Sequence, residues 1–496
     1  MKNRAVCTHQ RGWSAVTPVN KVLMFVWIVA GIAAGLGIVH FPPVKVLAVV
    51  LGVLCLSLAA WKIEVALYCI GFFLVVLQEA ETAPGTFFTL MESLNKPNIP
   101  SLLEVLFVVL AGAFFIRNFI VRDERYSFDG MKLPLALFFV LLFVALANGI
   151  LDGTDTIFRK EDFKRFIFPV LVFVSAVNIL DTREKITRLL GIIFWVMLAK
   201  TYLADFYYLR GMGFPYGDSR VAFLESGDQT LVVTIIVVGA ALLVERKIGW
   251  KSVLWMVWAG APMLFALMFS YRRNAMWGAL FSLGLLLILS QRDKKVRLLK
   301  IFAAIGVGAI FLMTLLPVTD SMSTGEFMKM RLTSVVDWDQ SSNAAHLNEW
   351  EVTIRDTMQR PLFGLGLGSI HAPVPEFSRI NQHTVHNALL MLWMKMGAIA
   401  VLLFLWCMYR YCRLGFTEAF RLRDPLLTGL FATIGLWAIA MNIGPTWYYY
   451  RESCLMALIM AVVGRLVLLG SEPAAVLLGR RPEGALSVWL KGRQTK

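Results

Sequence analysis

Long apolar runs alternate with short polar segments along almost the whole chain. The runs fall at about 22–40, 46–60, 63–78, 102–116, 133–150, 166–180, 189–206, 229–244, 252–270, 275–290, 299–317, 387–408, 425–443 and 453–469. Runs of about 16–20 apolar residues are the length of bilayer-crossing helices. They are continuous, without the in–out alternation of barrel strands, and lipid gives backbone groups no partner outside helices or closed barrels. The pattern predicts an all-α, polytopic integral membrane protein of about fourteen (12–14) transmembrane helices. One large outer loop, 318–386, lies between the eleventh and twelfth spans. Four stretches follow: N-terminal helices over 1–204, helices with Arg-bearing outer turns over 205–317, the loop with an amphipathic helix over 318–386, and C-terminal helices with a tail over 387–496.

Composition strengthens this picture. The chain is 58% hydrophobic with a mean hydropathy of +0.67, above a soluble domain. Its net charge of +15 would suggest nucleic acid in a soluble protein. Here Lys and Arg favour one set of alternating segments by about two to one, which the positive-inside rule explains. Both termini are then expected in the cytoplasm, with membrane lipids rather than nucleic acid as partners. The first run, Val22 to Phe41, is too long for a signal-peptide core and reads as a retained span. The six cysteines show no metal-type spacing and read as buried or cytoplasm-side thiols.

Candidate chemistry gathers on the outer side. SSNAAHLNEWEVTIRDTMQ (341–359) spaces Leu347, Trp350, Ile354 and Met358 by three and four, one apolar helical stripe. Ser342 or Asn343 can cap it, Glu351 and Arg355 are an i,i+4 pair, and Arg360-Pro361 ends it. Such a helix lies on the bilayer or covers the spans, and its polar edge (His346, Glu349, Arg355) can also meet a substrate. RPLFGLGLGSI carries Gly364, Gly366 and Gly368 without the Gly-Lys-Ser/Thr of a nucleotide loop, so tight turns and close backbone approach are expected.

NQHTVHN follows, with His383 and His386 three residues apart. By spacing no third ligand accompanies them, so no metal is expected. His386, at the start of a span with Asn387 beside it to fix its orientation, is the candidate general base. His383 is expected in the preceding loop, solvated. Arg220, in FPYGDSR, and Arg272 with Arg273, in FSYRRNAMW, sit at the same interface. Singly each could hold a lipid headgroup. Together they suit a diphosphate, which takes bidentate hydrogen bonds.

These residues resemble the O-antigen ligase / O-antigen polymerase superfamily of bacterial envelope polysaccharide glycosyltransferases. The resemblance rests on Arg220 with the following ESGDQ, the Ser270–Arg272–Arg273 turn, the Trp350 helix running into RPLFGLGLG, and TVHN followed by Leu389, Leu390 and Gly397. It covers about residues 205–410 and departs at two positions. His346 stands where the family often has Arg, and Lys395 where it often has an acid. Lys395 is expected to pair with a buried acid or reach a phosphate.

The resemblance implies a bacterial inner-membrane enzyme acting at the periplasmic face. Its donor would be an undecaprenyl-diphosphate-linked glycan, moved as a block to an acceptor hydroxyl, without cofactor or metal. A lipid A-core acceptor makes it a ligase; another lipid-linked glycan makes it a polymerase of O-antigen or exopolysaccharide. The single long outer loop favours the ligase-type reading. His386 would be the base and Arg220, Arg272 and Arg273 would hold the diphosphate. Asn387, His346, Glu349, Arg355 and Lys395 would support them. A transporter or flippase of a lipid-linked anion is the alternative; it would need ionisable groups deep in several spans and an internal repeat, and neither is evident.

Overall fold

The computed structural model describes residues 62–76, 102–115, 132–207, 226–245, 256–269, 273–315, 341–374, 383–443 and 450–477. The first two expected spans, Arg220 and Arg272 lie outside the described residues.

All described regular structure is helical. The helices are α1 (Ile63–Val76), α2 (Leu102–Phe115), α3 (Lys132–Leu151), α4 (Thr156–Ile179), α5 (Arg183–Tyr207) and α6 (Ser226–Glu245). After a π-turn at Met256–Gly260 come α7 (Ala261–Phe269), α8 (Arg273–Leu289), α9 (Arg292–Leu315) and α10 (Ser341–Thr357). The last are α11 (Ala388–Met396), α12 (Ala398–Leu422), α13 (Pro425–Ala432), α14 (Ile434–Ile443) and α15 (Tyr450–Leu477). Among the described residues, six segments are long and apolar enough to cross a membrane, at 133–151, 183–206, 227–244, 398–422, 425–442 and 451–470. Shorter apolar helices cover 63–76, 258–267 and 275–289.

Two expected spans are built differently. The twelfth, predicted as one helix over 387–408, breaks at Gly397 into α11 and α12. Gly397 has φ of 87°, and a Cβ there would collide with the Leu362 carbonyl. Ala398 N–H donates to the Pro361 carbonyl at 2.9 Å, so the glycine loop docks into the break. An uninterrupted apolar run does not reveal such a break, because the cause is packing against a distant segment. The sixth span begins early: Asp155 caps α4 by accepting from Ile157 N–H at 2.7 Å, about ten residues before the apolar run. That extra helical length carries Asp162 and Arg165 inward.

α15 packs against α4, α13 against α6, α8 against α14, and α1 against α5 around the main core. A smaller cluster of Leu141, Leu142, Ala145, Phe166, Leu367, Leu392, Met396 and Ala400 joins α3, α4, α11 and the glycine loop. Polar contacts link segments that charge assigns to one side. Arg360 pairs with Asp152 at 2.5 Å, and Lys164 with Glu104 at 2.8 Å, all expected outside. Arg183 pairs with Asp424 at 2.7 Å, and Lys185 with Glu64 at 3.6 Å, at the ends expected inside.

Candidate functional site

α10 is amphipathic in the register the sequence predicts, but its polar edge is the buried one. Leu347, Ile354 and Met358 are 51%, 41% and 60% exposed, whereas Ala345, Glu349, Thr353 and Thr357 are buried. The buried hydroxyls are satisfied within the helix: Thr353 donates to the Glu349 carbonyl and Thr357 to the Thr353 carbonyl, both at 2.7 Å. Leu347, Ile354 and Met358 therefore face outward, while Trp350, the fourth member of the stripe, is half-buried against Val385, Met391 and Met394. Arg355 does not join the site; its side chain is exposed beside Asp356 at 3.8 Å.

Glu349 is the centre of the buried edge. Its carboxylate lies 2.9 and 3.1 Å from His386 Nδ1 and accepts the His386 backbone N–H at 3.1 Å. His346 Nδ1 lies 3.9 Å away and its ring packs on His386 with centroids 4.5 Å apart. His371 Nε2 lies 3.9 Å from the other oxygen. Burial alone would raise the Glu349 pKa, but the neighbouring imidazoles of His346 and His386, the latter hydrogen-bonded to it, overcome it and hold the pKa down to about 2. A carboxylate on Nδ1 fixes that nitrogen as the donor, which puts the imidazole lone pair on Nε2. His386 is half-buried and turns one edge outward. The ligand atoms of His346, Glu349 and His386 all lie within 4.8 Å of one another, a grouping that could hold a metal ion. Spacing around His383 and His386 missed it because the carboxylate comes from α10, on the far side of the glycine loop.

Asn387 has another task than the one expected. Its Oδ1 accepts from the N–H groups of Leu389 and Leu390, each at 3.0 Å, so it caps α11. Glu349, not Asn387, orients the imidazole. The cap fixes where the helix starts and thereby the backbone that carries His386.

The expectation for His383 is overturned. It is 2% exposed, stacked on Phe158 at 4.3 Å, and its Nε2 lies 2.9 Å from Asp162 Oδ1. Burial, aided by the positive charge of Lys395, pushes its pKa down to about 4. Asp162 also meets Lys395 Nζ at 3.0 Å, accepts from Gly368 N–H at 2.7 Å, and lies 3.4 Å from Arg165. Lys395 donates onward to the Ser369 carbonyl at 2.5 Å. Lys395 thus has the buried acid that was expected of it. The partner lies in α4, too far along the chain for any spacing to reveal. The trace in the sequence is Asp162 and Arg165, two charges just ahead of an apolar run.

The alternate glycines make this convergence possible. Gly364, Gly366 and Gly368 have φ of 72°, 92° and 79°, in the left-handed region. A Cβ on Gly366 would stand 2.5 Å from Gly149 N, and one on Gly368 would stand 2.7 Å from Thr154 Oγ1. Leu365 N–H donates to the Met394 carbonyl and Leu367 N–H to the Ala145 carbonyl, at 2.7 and 2.9 Å. The loop therefore ties α11 to α3, and Thr154 Oγ1 donates to the Leu367 carbonyl at 2.8 Å.

Arg273 is the first residue of α8; its side chain, like Arg220 and Arg272 as a whole, is outside what is described. A second ionic cluster, not anticipated, joins α5, α6 and α15. Asp228 meets Lys200 at 2.8 Å and also Arg451, while the two cations bond to the Val75 and Leu74 carbonyls at the end of α1. Asp228 belongs to the ESGDQ stretch, and Arg451 follows the aromatic run TWYYY. Between α3, α4, α12 and α15 lies an apolar crevice of about 180 Å³, walled by Phe138, Phe166, Pro169, Phe173, Phe404 and Met456 and reached by Arg165.

Residues 258–405 match the O-antigen ligase family (Wzy_C). The match supports placing the chain in the O-antigen ligase superfamily, whose members are glycosyltransferase-like enzymes. It takes in Arg272, Arg273, α10, the glycine loop, His386 and Lys395, and stops short of Arg220 and Asp162. No curated protein matches the chain.

Proposed function

We propose that the protein is an O-antigen ligase-type glycosyltransferase of the bacterial inner membrane. It moves a glycan as a block from undecaprenyl diphosphate to an acceptor hydroxyl at the periplasmic face. The observation that carries this reading is the grip of buried Glu349 on His386 Nδ1 and backbone N–H, at the head of α11.

His386 Nε2 takes the proton of the acceptor hydroxyl as its oxygen attacks the anomeric carbon. The bond from that carbon to the phosphate oxygen breaks, and the electron pair leaves with undecaprenyl diphosphate. In-line attack inverts the anomeric centre. Glu349 holds the tautomer and stabilises the imidazolium that forms, the part an acid plays behind a catalytic histidine. Diphosphate is already a good leaving group, so Arg220 and Arg272, with Arg273 in support, suffice to neutralise its developing charge. The crevice beside Arg165 supplies an apolar wall for part of the isoprenoid chain. The exposed stripe of α10 seats the loop on the membrane, which keeps Glu349 level with the lipid-borne donor.

A polymerase of O-antigen or exopolysaccharide would use the same chemistry on a different acceptor. The long outer loop, whose described part holds a helix and a docked turn, favours the ligase-type reading. The test is transfer in membranes carrying lipid-linked donor. Arg220→Ala and Arg272→Ala should each abolish transfer while folded protein stays in the membrane. Lysine at either position should rescue poorly, because a point charge lacks the planar fork. Transfer to a lipid A-core acceptor supports the ligase, and chain growth without it supports the polymerase. Full activity of either alanine variant would remove that arginine from the site.

A further inference from the structure

His371 has an unusual setting. Its side chain is fully buried, and Nδ1 lies 2.8 Å from the Ala372 carbonyl. A carbonyl only accepts, so Nδ1 carries the hydrogen and the neutral ring turns its lone pair out at Nε2. Among the described residues that nitrogen has no hydrogen-bond partner, and it faces Glu349 Oε1 across 3.9 Å. In the neutral ring, Nε2 and Glu349 Oε1 are two acceptors facing each other inside the protein. His346 Nδ1 stands 3.9 Å from the other Glu349 oxygen, and His386 Nδ1 is 2.9 Å from the first. A cation among these four groups would turn every one of these approaches favourable.

We propose that His346, Glu349, His371 and His386 form an inhibitory site for a divalent transition-metal ion of the zinc class. The proposal rests on His386 being the base. Three imidazoles and one carboxylate are a zinc-type ligand set. Ligands about 2.0–2.1 Å from a tetrahedral ion stand about 3.3 Å apart. His346, Glu349 and His386 already offer ligand atoms within 4.8 Å of one another, and His371, outside that grouping but 3.9 Å from Glu349, must swing in as the fourth. Four protein ligands close the coordination sphere and leave no position for a substrate. The ion would engage His386 through Nδ1, take Glu349 from its role behind the base, and lock the ring. His346 and His386, both partly exposed, give the ion a way in.

The test uses the full chain, purified with its affinity tag removed and stripped with chelator, then titrated with Co²⁺. The expected result is a saturable visible absorption of a four-coordinate site at one equivalent, displaced by Zn²⁺. Glu349→Gln should abolish it. His371→Gln and the more exposed His346→Gln should each weaken binding by at least about tenfold. Zn²⁺ should depress transfer and chelator should restore it. Absence of saturable binding, or unchanged affinity in both histidine variants, would overturn the site and leave the metal-free base standing. Binding combined with loss of transfer on metal removal would overturn the inhibitory role and the metal-free base together.

Discussion

Two buried carboxylates, Glu349 and Asp162, organise this end of the molecule, and one short segment serves both. Of the two histidines in HTVH, His383 turns to Asp162 and His386 to Glu349. Their surroundings differ in kind. Asp162 is closed in by Lys395, Arg165, His383 and the Gly368 N–H, and Lys395 is itself without exposure. Glu349 is ringed by three imidazoles, two of them partly exposed. Fixed cations around a sealed carboxylate hold elements together. Imidazoles around a carboxylate near an open edge keep ring nitrogens available to a ligand or substrate. The first arrangement ties α4, the glycine loop and α11; the second holds the imidazole proposed as the base.

The comparison breaks most severely if Asp162 proves dispensable. Lys395→Ala leaves a buried carboxylate short of a cation, a loss of about 3–5 kcal/mol. Thermal unfolding in detergent should register it, with little folded protein recovered. Lys395→Met combined with Asp162→Asn should recover part of the loss, because no charge is then stranded. Unchanged stability of Lys395→Ala would show that the cluster clamps nothing.

Glu349→Gln should act the other way, on transfer more than on folding. It removes the anion behind His386 and should cut transfer by about tenfold to a hundredfold. Wild-type transfer in the variant would reduce Glu349 to a structural acid like Asp162.

A smaller effect separates the two carboxylates by pH. The pKa of His383 falls from 6.5 to about 4 on folding, so the unfolded chain binds the proton more readily. The stability this contributes is complete above about pH 6.5 and is lost as pH falls towards 4. The contribution of Glu349 is complete above its unfolded value of 4.5 and is lost between there and about 2, so it touches only the bottom of that window. Thermal unfolding between pH 7 and 4 should therefore decline, and His383→Gln should flatten the decline. An identical slope in the variant would remove His383 from the account.

How far the sequence reveals this depends on what fills the space around each element. The existence of α10 follows from the spacing of its stripe, but it starts at Ser341, ahead of the Ser342 or Asn343 cap the sequence offered, and ends at Thr357, before Arg360-Pro361. Which way the stripe faces is not set by spacing: Leu347, Ile354 and Met358 turn out and Glu349 turns in. The charge pattern groups the ends that the ion pairs of Arg360, Lys164, Arg183 and Lys185 join, because every lysine and arginine carries that signal independently. Partnerships across the fold leave no such trace. Lys395 demanded an acid, but nothing along the chain identified Asp162. His383 looked solvated because NQHT is polar, and its burial comes from Phe158 on another helix. Gly397 broke a run that read as one span because Leu362 packs into it.

The division of labour within HTVH is tested most directly by one paired assay. His386→Ala and His383→Ala are compared for glycan transfer in membranes, each scaled to folded protein and to bound lipid-linked donor. The account predicts at least about a hundredfold loss for His386→Ala with donor still bound. His383→Ala should be less stable yet keep most transfer per folded molecule. Equal losses per folded molecule would contradict the separation of a base at Glu349 from a clamp at Asp162.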